Sequence, residues 1–173
     1  MIAKILCCGV VVCGCGYMGA VLGKRYVYAA RQTGEFADAL KMLEFDVSFL
    51  KLPAKEAFLR VNFSKDNTVK KIFVYMAKAL EKNDCKNMCD IFCEAIKKYS
   101  EDVFISEFSK DTIYNFFKSF GTLDRENEIA NIKSAYTKLR FAEEEEASSA
   151  DEKSKFLKKT GFLAGIFLAI MLF

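Results

Sequence analysis

No histidine and no tryptophan occur in this chain, and proline occurs once, as Pro53. Without histidine there is no Ser–His or Cys–His pair to activate a nucleophile, and no imidazole to ligate a metal. The G-x-x-x-x-G-K-[ST] and G-x-G-x-x-G patterns are missing too, so no phosphate-cradling loop is legible. The 26 basic residues face 23 acidic ones, a net charge of +3, which excludes the strongly basic face of a dedicated nucleic-acid binder. Carboxylates are plentiful but scattered over helical surfaces. Glu44 and Asp46, two residues apart, point to different sides of a helix. No catalytic set, cofactor site or metal site is expected.

Charge is also missing from both ends. Ile5–Leu22 and Thr160–Phe173 contain no charged residue. The first run would span roughly 27 Å as a helix, close to the ~30 Å hydrocarbon core of a bilayer. The second would reach only roughly 21 Å, short for a full span unless Lys158 and Lys159 snorkel or the bilayer thins. A cleaved signal peptide and a lipoprotein signal at Val12-Cys13-Gly14-Cys15 are the rivals for the first run. The immediate Lys24-Arg25 flank favours a retained helix. Both basic flanks, Lys24, Arg25 and Arg31 on one side and Lys153, Lys155, Lys158 and Lys159 on the other, lie toward the middle of the chain. The positive-inside rule therefore puts the body in the cytoplasm. This gives three parts: an N-terminal transmembrane helix at 1–23, a cytoplasmic helical body at 24–159, and a C-terminal membrane segment at 160–173. Cys15, Gly19 and Gly23 form a small-residue stripe on the first segment, and Gly161 and Gly165 repeat the spacing on the last. Such stripes let helices approach closely in lipid, so the tail is expected to pack beside the first helix.

The body is long enough for a single domain with a real core, and its 17 phenylalanines supply bulk. Helical periodicity dominates. Phe36, Leu40, Leu43, Val47 and Leu50 share one face of a first helix, which Leu52-Pro53 breaks; Pro53 then starts a short helix to about Val61. Ser64, Asp66 and Asn67 offer caps for a third helix, with Val69, Ile72, Phe73, Met76 and Leu80 on its inner face. A fourth carries Met88, Ile91, Phe92, Ala95 and Ile96. A fifth, capped by Ser109 or Asp111, carries Ile113, Phe116, Phe117 and Phe120, with Gly121 as its C-terminal stop. The sixth starts near Asp124, and the stretch from Glu143 to Lys159 is helix-compatible, so it can run on into the tail. The fold expected is all-α: a membrane-anchored antiparallel bundle of about six helices.

Seven cysteines remain. Four lie in the first apolar run, where the thiol acts as a small hydrophobe. Cys85, Cys89 and Cys93 fall on one helix face. Their spacing differs from zinc C-x-x-C turns and no histidine can complete a set, so reduced structural thiols are expected. A thiol-based membrane sensor or small membrane enzyme is the alternative. A pore-forming protein ranks last, because neither apolar segment carries a charge to line a water path.

The residues also resemble a known family. Phe120-Gly121-Thr122-Leu123-Asp124-Arg125-Glu126-Asn127 resembles the L-G-x-x-D-x-x-Q turn of stage III sporulation protein AB, with Asn127 at the Gln position. Leu43-Glu44-Phe45-Asp46-Val47 and Leu52-Pro53-Ala54-Lys55-Glu56-Ala57 are similar to its L-x-x-E-I and P-L-x-E-A segments. The tail from Lys159 to Gly165 is similar to its L-G-x-L-x-G membrane segment. The resemblance implies a helical domain similar to the platform domain of type II secretion and type IV pilus systems. It implies a place in the channel between mother cell and forespore, at the mother-cell membrane surrounding the forespore. The implied partners are the stage III sporulation protein AA ATPase and other membrane components; a homo-oligomer is left open. In that reading Gly121, Asp124, Arg125 and Asn127 form a structural turn rather than a catalytic site.

Overall fold

The computed structural model describes residues 2–61, 67–81 and 87–172, the side chains of 2–8, 67 and 172 excepted. Among them there are six α-helices and no strand: α1 Ile2–Phe45, α2 Ala54–Arg60, α3 Asn67–Glu81, α4 Met88–Lys98, α5 Glu107–Ser119 and α6 Arg125–Leu172. A π-helical turn, Asp46–Leu50, follows α1. The expected all-α class therefore holds. The apolar ends are not separate elements, however: each is continuous with a helix of the body. Lys24-Arg25 does not end α1 because neither residue disfavours a helix and no proline or left-handed glycine follows. The caps differ in detail. Pro53 precedes α2 as its cap residue rather than starting it. Ser106, not Ser109 or Asp111, caps α5, its Oγ accepting from the Ser109 backbone N–H. Ser64 and Asp66 lie outside the described residues.

Two compact units result: Met1–Ala30 with Glu145–Phe173, and Arg31–Glu144. The sequence suggests three successive parts instead, at 1–23, 24–159 and 160–173.

In the Arg31–Glu144 unit the core is aromatic. Phe36 of α1, Phe58 of α2, Phe73 of α3, Phe92 of α4 and Phe116, Phe117 and Phe120 of α5 and its end are all buried. Phe117 lies at their centre, with ring centroids 6.1 Å from Phe58, 6.4 Å from Phe73, 5.1 Å from Phe92 and 4.9 Å from Phe116. Ile132, Ala135 and Leu139 close the cluster from α6. Polar pins hold its flank. The Gln32 amide donates to the Asp102 carbonyl at 2.7 Å and accepts from the Phe104 N–H at 2.8 Å, which fixes the chain between α4 and α5. Arg140 on α6 reaches Asp38 on α1 and Glu143 on its own helix.

In the other unit, the start of α1 and the end of α6 run antiparallel. A Cβ added at Gly19 would lie 2.6 Å from the Leu157 carbonyl oxygen, one at Gly161 2.8 Å from the Cys15 carbonyl oxygen, and one at Gly165 2.9 Å from the Val12 Cα. The large apolar side chains point outward: Val10, Tyr17, Met18, Leu163, Phe167, Ile170 and Met171 are all more than 60% exposed. Among the described residues no helix is long and apolar enough to cross a membrane; the charge-free run begins at Ile5, among residues whose side chains lie outside the description.

Phe117→Ala removes the ring that touches the aromatic rings of α2, α3 and α4 and those of its own helix end. It should destabilise the chain by about 3–5 kcal/mol, read from the midpoint of urea unfolding followed by circular dichroism. A loss under about 1 kcal/mol would show that Phe117 is not the centre of the core.

Candidate functional site

The three segments singled out by sequence converge in the Arg31–Glu144 unit, where the end of α1, the π turn, α2 and the turn between α5 and α6 meet. The π turn arises where the chain must leave α1. Lys51 takes the left-handed conformation, φ 52°, and its N–H bonds back to the Asp46 carbonyl. Leu52 N–H reaches the same oxygen at 3.3 Å, and Pro53 prevents further helix. The last carbonyls of a helix lack intrahelical donors and carry partial negative charge. Here Arg125, at the start of α6, donates to Val47 O at 3.2 Å and also to Ser48 O. A cation from a different element thus closes the end of the first helix.

The π turn also changes which residues face inward. An i→i+5 turn inserts about one extra residue relative to an α turn. Phe36, Leu40 and Leu43 keep the expected buried face. Leu50 instead turns out to solvent, and Asp46 turns in, fully buried. Among the described residues neither Asp46 carboxylate oxygen has a hydrogen-bond partner. The Arg60 guanidinium, half-exposed on α2, lies 3.6 Å away. Burial pushes the Asp46 carboxyl above its ordinary value, and Arg60 opposes the shift. This residue was read as a surface acid because the sequence rule assumes 3.6 residues per turn throughout.

The α5–α6 turn is built as an N-terminal cap. Gly121 sits at φ 83°, the conformation that favours glycine. Its N–H donates to both Glu128 carboxylate oxygens, at 3.0 and 3.2 Å. Burial raises the Glu128 carboxyl, opposed by that N–H. Asp124 is held below the usual carboxylate range, first by the Asn127 side-chain amide and then by nearby backbone N–H groups. Gly121, Asp124, Arg125 and Asn127 are therefore brought together as a turn, with Arg125 reaching out to the π turn. Around them Phe45, Phe49, Leu50, Leu59 and Leu123 are exposed, Phe49 at 74%. The Phe45 and Phe49 rings lie tilted against each other, their centroids 5.1 Å apart.

The thiols lie elsewhere. Cys85 falls outside the described residues. Cys89 is buried and Cys93 half-buried on α4. Burial, then Cys89 and Asp90, raise the Cys93 thiol. A raised pKa suppresses the thiolate, the form that reacts and binds metals, so this environment does not favour a sensor. Among the described residues no group of three potential ligands could hold a metal ion.

The small-residue stripes meet in the unit made of both chain ends. Gly19 and Gly161 face each other, Gly165 faces Val12 and Cys15, and Gly23 faces Ser154. Lys24, Arg25, Lys158 and Lys159 are exposed. Sequence reasoning missed Ser154, which lies about two helical turns before Gly161. It becomes visible only when α6 is read as unbroken through its charged stretch. Gly34 was missed as well. A Cβ there would fall on the Glu143 carboxylate, which Arg140 holds at 2.6 Å.

Comparison with known proteins agrees with this geometry. A family model described as stage III sporulation protein AB matches residues 4–173. The chain is similar to the stage III sporulation protein AB of Bacillus subtilis (strain 168), with 23% identity over 169 residues and 98% of each chain covered. It is also similar to a solved structure of stage III sporulation protein AB, with a TM-score of 0.64 and 19% identity, covering 72% of this chain and 97% of that one. At that identity the structural likeness speaks for the fold alone.

The buried acids set a pH dependence. The Asp46 and Glu128 carboxyls are raised in the folded state, so the folded chain holds their protons more tightly than the unfolded chain. Their contribution is fully present below the unfolded carboxylate range, about pH 4, and is lost as pH rises through the folded values. Asp124 has the opposite sign, its contribution being lost as pH falls through its lowered value. Asp46→Asn keeps the shape and removes the charge. Its unfolding midpoint should fall less steeply between pH 4 and 7 than the parent's, and at pH 7 the variant should be at least as stable. A uniform drop at every pH would mean that the carboxylate is a net structural support.

Proposed function

The chain belongs to the stage III sporulation protein AB family, and from that premise we propose that it is a non-enzymatic membrane platform of the sporulation channel between mother cell and forespore. Its ends anchor it in the mother-cell membrane, and its helical body offers a cytoplasmic docking surface to a partner ATPase.

The observation that carries the anchorage is the inside-out arrangement of the terminal helix pair. Glycines and Ser154 face inward, while Val10, Tyr17, Met18, Leu163, Phe167, Ile170 and Met171 face outward. Helices in lipid pack in this manner, because acyl chains solvate large apolar side chains and association rests on close backbone approach. In water the same pair would expose a contiguous apolar surface, an association liability. Basic residues Lys24, Arg25, Lys158 and Lys159 flank it, as the cytoplasmic placement of the body requires.

The docking role is supported by Phe45, Phe49 and Leu50. They are apolar and exposed, and they sit on a turn whose backbone Arg125 holds from a second element. Exposed aromatics on a rigid support are what a protein interface uses as anchors. No motif of this chain cradles nucleotide phosphates, so a force or positional signal in this complex has to be supplied by a partner.

Phe49→Glu tests the docking surface. The residue is 74% exposed, so stability should stay within about 0.5 kcal/mol of the parent. Capture of the partner ATPase from sporulating cells should fall by about tenfold or more, the effect of removing a hot-spot side chain. Undiminished capture by the variant, or no enrichment of the ATPase by the parent chain, would sink the docking reading. Alkaline carbonate washing should leave the full chain in the membrane pellet; its release would sink the anchorage.

A further inference from the structure

Between α5 and α6 lies a groove of about 290 Å³ that neither the turn nor the terminal seam uses. Its α5 wall carries Phe108, Asp111 and Thr112; its α6 wall carries Ser134, Ala135 and Lys138. These positions follow the i, i+3, i+4 spacing of a single face on each helix. The groove exists because the α6 side chains at its middle are a serine and an alanine, too small to fill the space beside α5. At its rim Phe108 is 55% exposed. Phe141, one turn beyond Lys138 on the same stripe, is exposed as well. Asp111 and Lys138 have no ion-pair partner among the described residues.

We propose that this face pairs two copies of the chain about a two-fold axis. The face carries an aromatic knob, a recess large enough for an aromatic ring, one unpaired carboxylate and one unpaired ammonium. That set is self-complementary. A two-fold interface requires this property, since residue i meets residue j of the other copy and residue j meets residue i. Rotation about the groove sets Phe108 of one copy into the recess of the other. It places Asp111 opposite Lys138 of the second copy, and Lys138 opposite Asp111. Two ion pairs then form around two buried rings. A foreign helix would need a matching pattern of its own, whereas a second copy supplies every element already present on this face.

Charge exchange in the full-length chain, solubilised in detergent micelles, tests the pairing. Sedimentation velocity should report a dimer for the parent. Asp111→Lys sets two ammonium pairs face to face, and Lys138→Asp sets two carboxylate pairs; each should weaken dimerisation at least tenfold. The double variant D111K/K138D restores both attractions and should dimerise like the parent, and an equimolar mixture of the two single variants should form heterodimers. Circular dichroism shows whether each variant keeps its helix. A photoreactive phenylalanine analogue at position 108 should cross-link to a second copy in sporulating cells. A monomeric parent, single variants that dimerise unchanged, a double variant that fails to recover, or cross-links from position 108 that reach only other proteins would each overturn the proposal.

Discussion

Phe117 and the rings around it are what the rest of the Arg31–Glu144 unit depends on. Six other phenylalanines, from α1 to α5, lie in or next to its contact shell. A core of this kind draws on area removed from water, and each ring adds edge-to-face contact beyond its area. Because all six helices share one cluster, none can shift alone without opening a void, and close-packed interiors resist voids. That rigidity matters at the unit's margin. The π turn, α2 and the α5–α6 turn contain few residues and little apolar area of their own. They stay in place because Phe58 and Phe120 tie their neighbours into the cluster at 5.7 Å.

Against that background the Asp46 carboxylate is costly. A buried polar group without a hydrogen bond is rare in folded proteins, and Arg60, half in solvent, offers only partial compensation. The cost is local to the turn that presents Phe45, Phe49 and Leu50. The π turn that buries the acid also swings Leu50 outward, so burial of the acid and exposure of the apolar patch share one backbone cause. Arg125 holds this arrangement by bonding the Val47 and Ser48 carbonyls, which a regular α-helical exit would have offered to water. Strain of this type is retained mainly where function uses the strained element, and π turns are frequent at such places.

Much of this was legible in the sequence, and the failures have specific causes. The buried faces of Val69, Ile72, Phe73 and Met76, and of Ile113, Phe116 and Phe117, follow from their 3.6-residue period, which these helices keep. The Gly121 stop and the Asp124 cap follow from residue chemistry at a single turn. Asp46 and Leu50 were misassigned because the period changes within one turn, and nothing local to Asp46-Val47-Ser48 announces it. The unbroken length of α1 escaped the sequence reading, whereas the run of α6 into the tail was legible. A charged stretch such as Glu143–Glu146 marks a change of environment, not an end of helix, because glutamate is a good helix former. The convergence of Leu43–Val47 with Gly121–Asn127 could be read only as a family resemblance. Their contact through Arg125 spans 78 residues, beyond the reach of any local pattern.

The chain's two units rest on opposite uses of side-chain size. In the Arg31–Glu144 unit the largest side chains point inward and polar ones outward, the arrangement water enforces. In the unit of both ends glycines occupy the contact and large apolar residues face away. A glycine seam removes little apolar area, so the hydrophobic effect gives it little stabilisation in water; it becomes competitive where the surroundings are themselves apolar and backbone proximity decides the packing. Lengthening a side chain at Gly19 or Gly161 would set atoms onto the opposing backbone rather than fill a gap. The sequence thus uses phenylalanine in one contact and glycine in the other, and the glycine seam is the feature on which the proposed anchorage rests. The two packing modes coexist in α1 and α6 because an α-helix closes the same backbone bonds whichever side chains it carries.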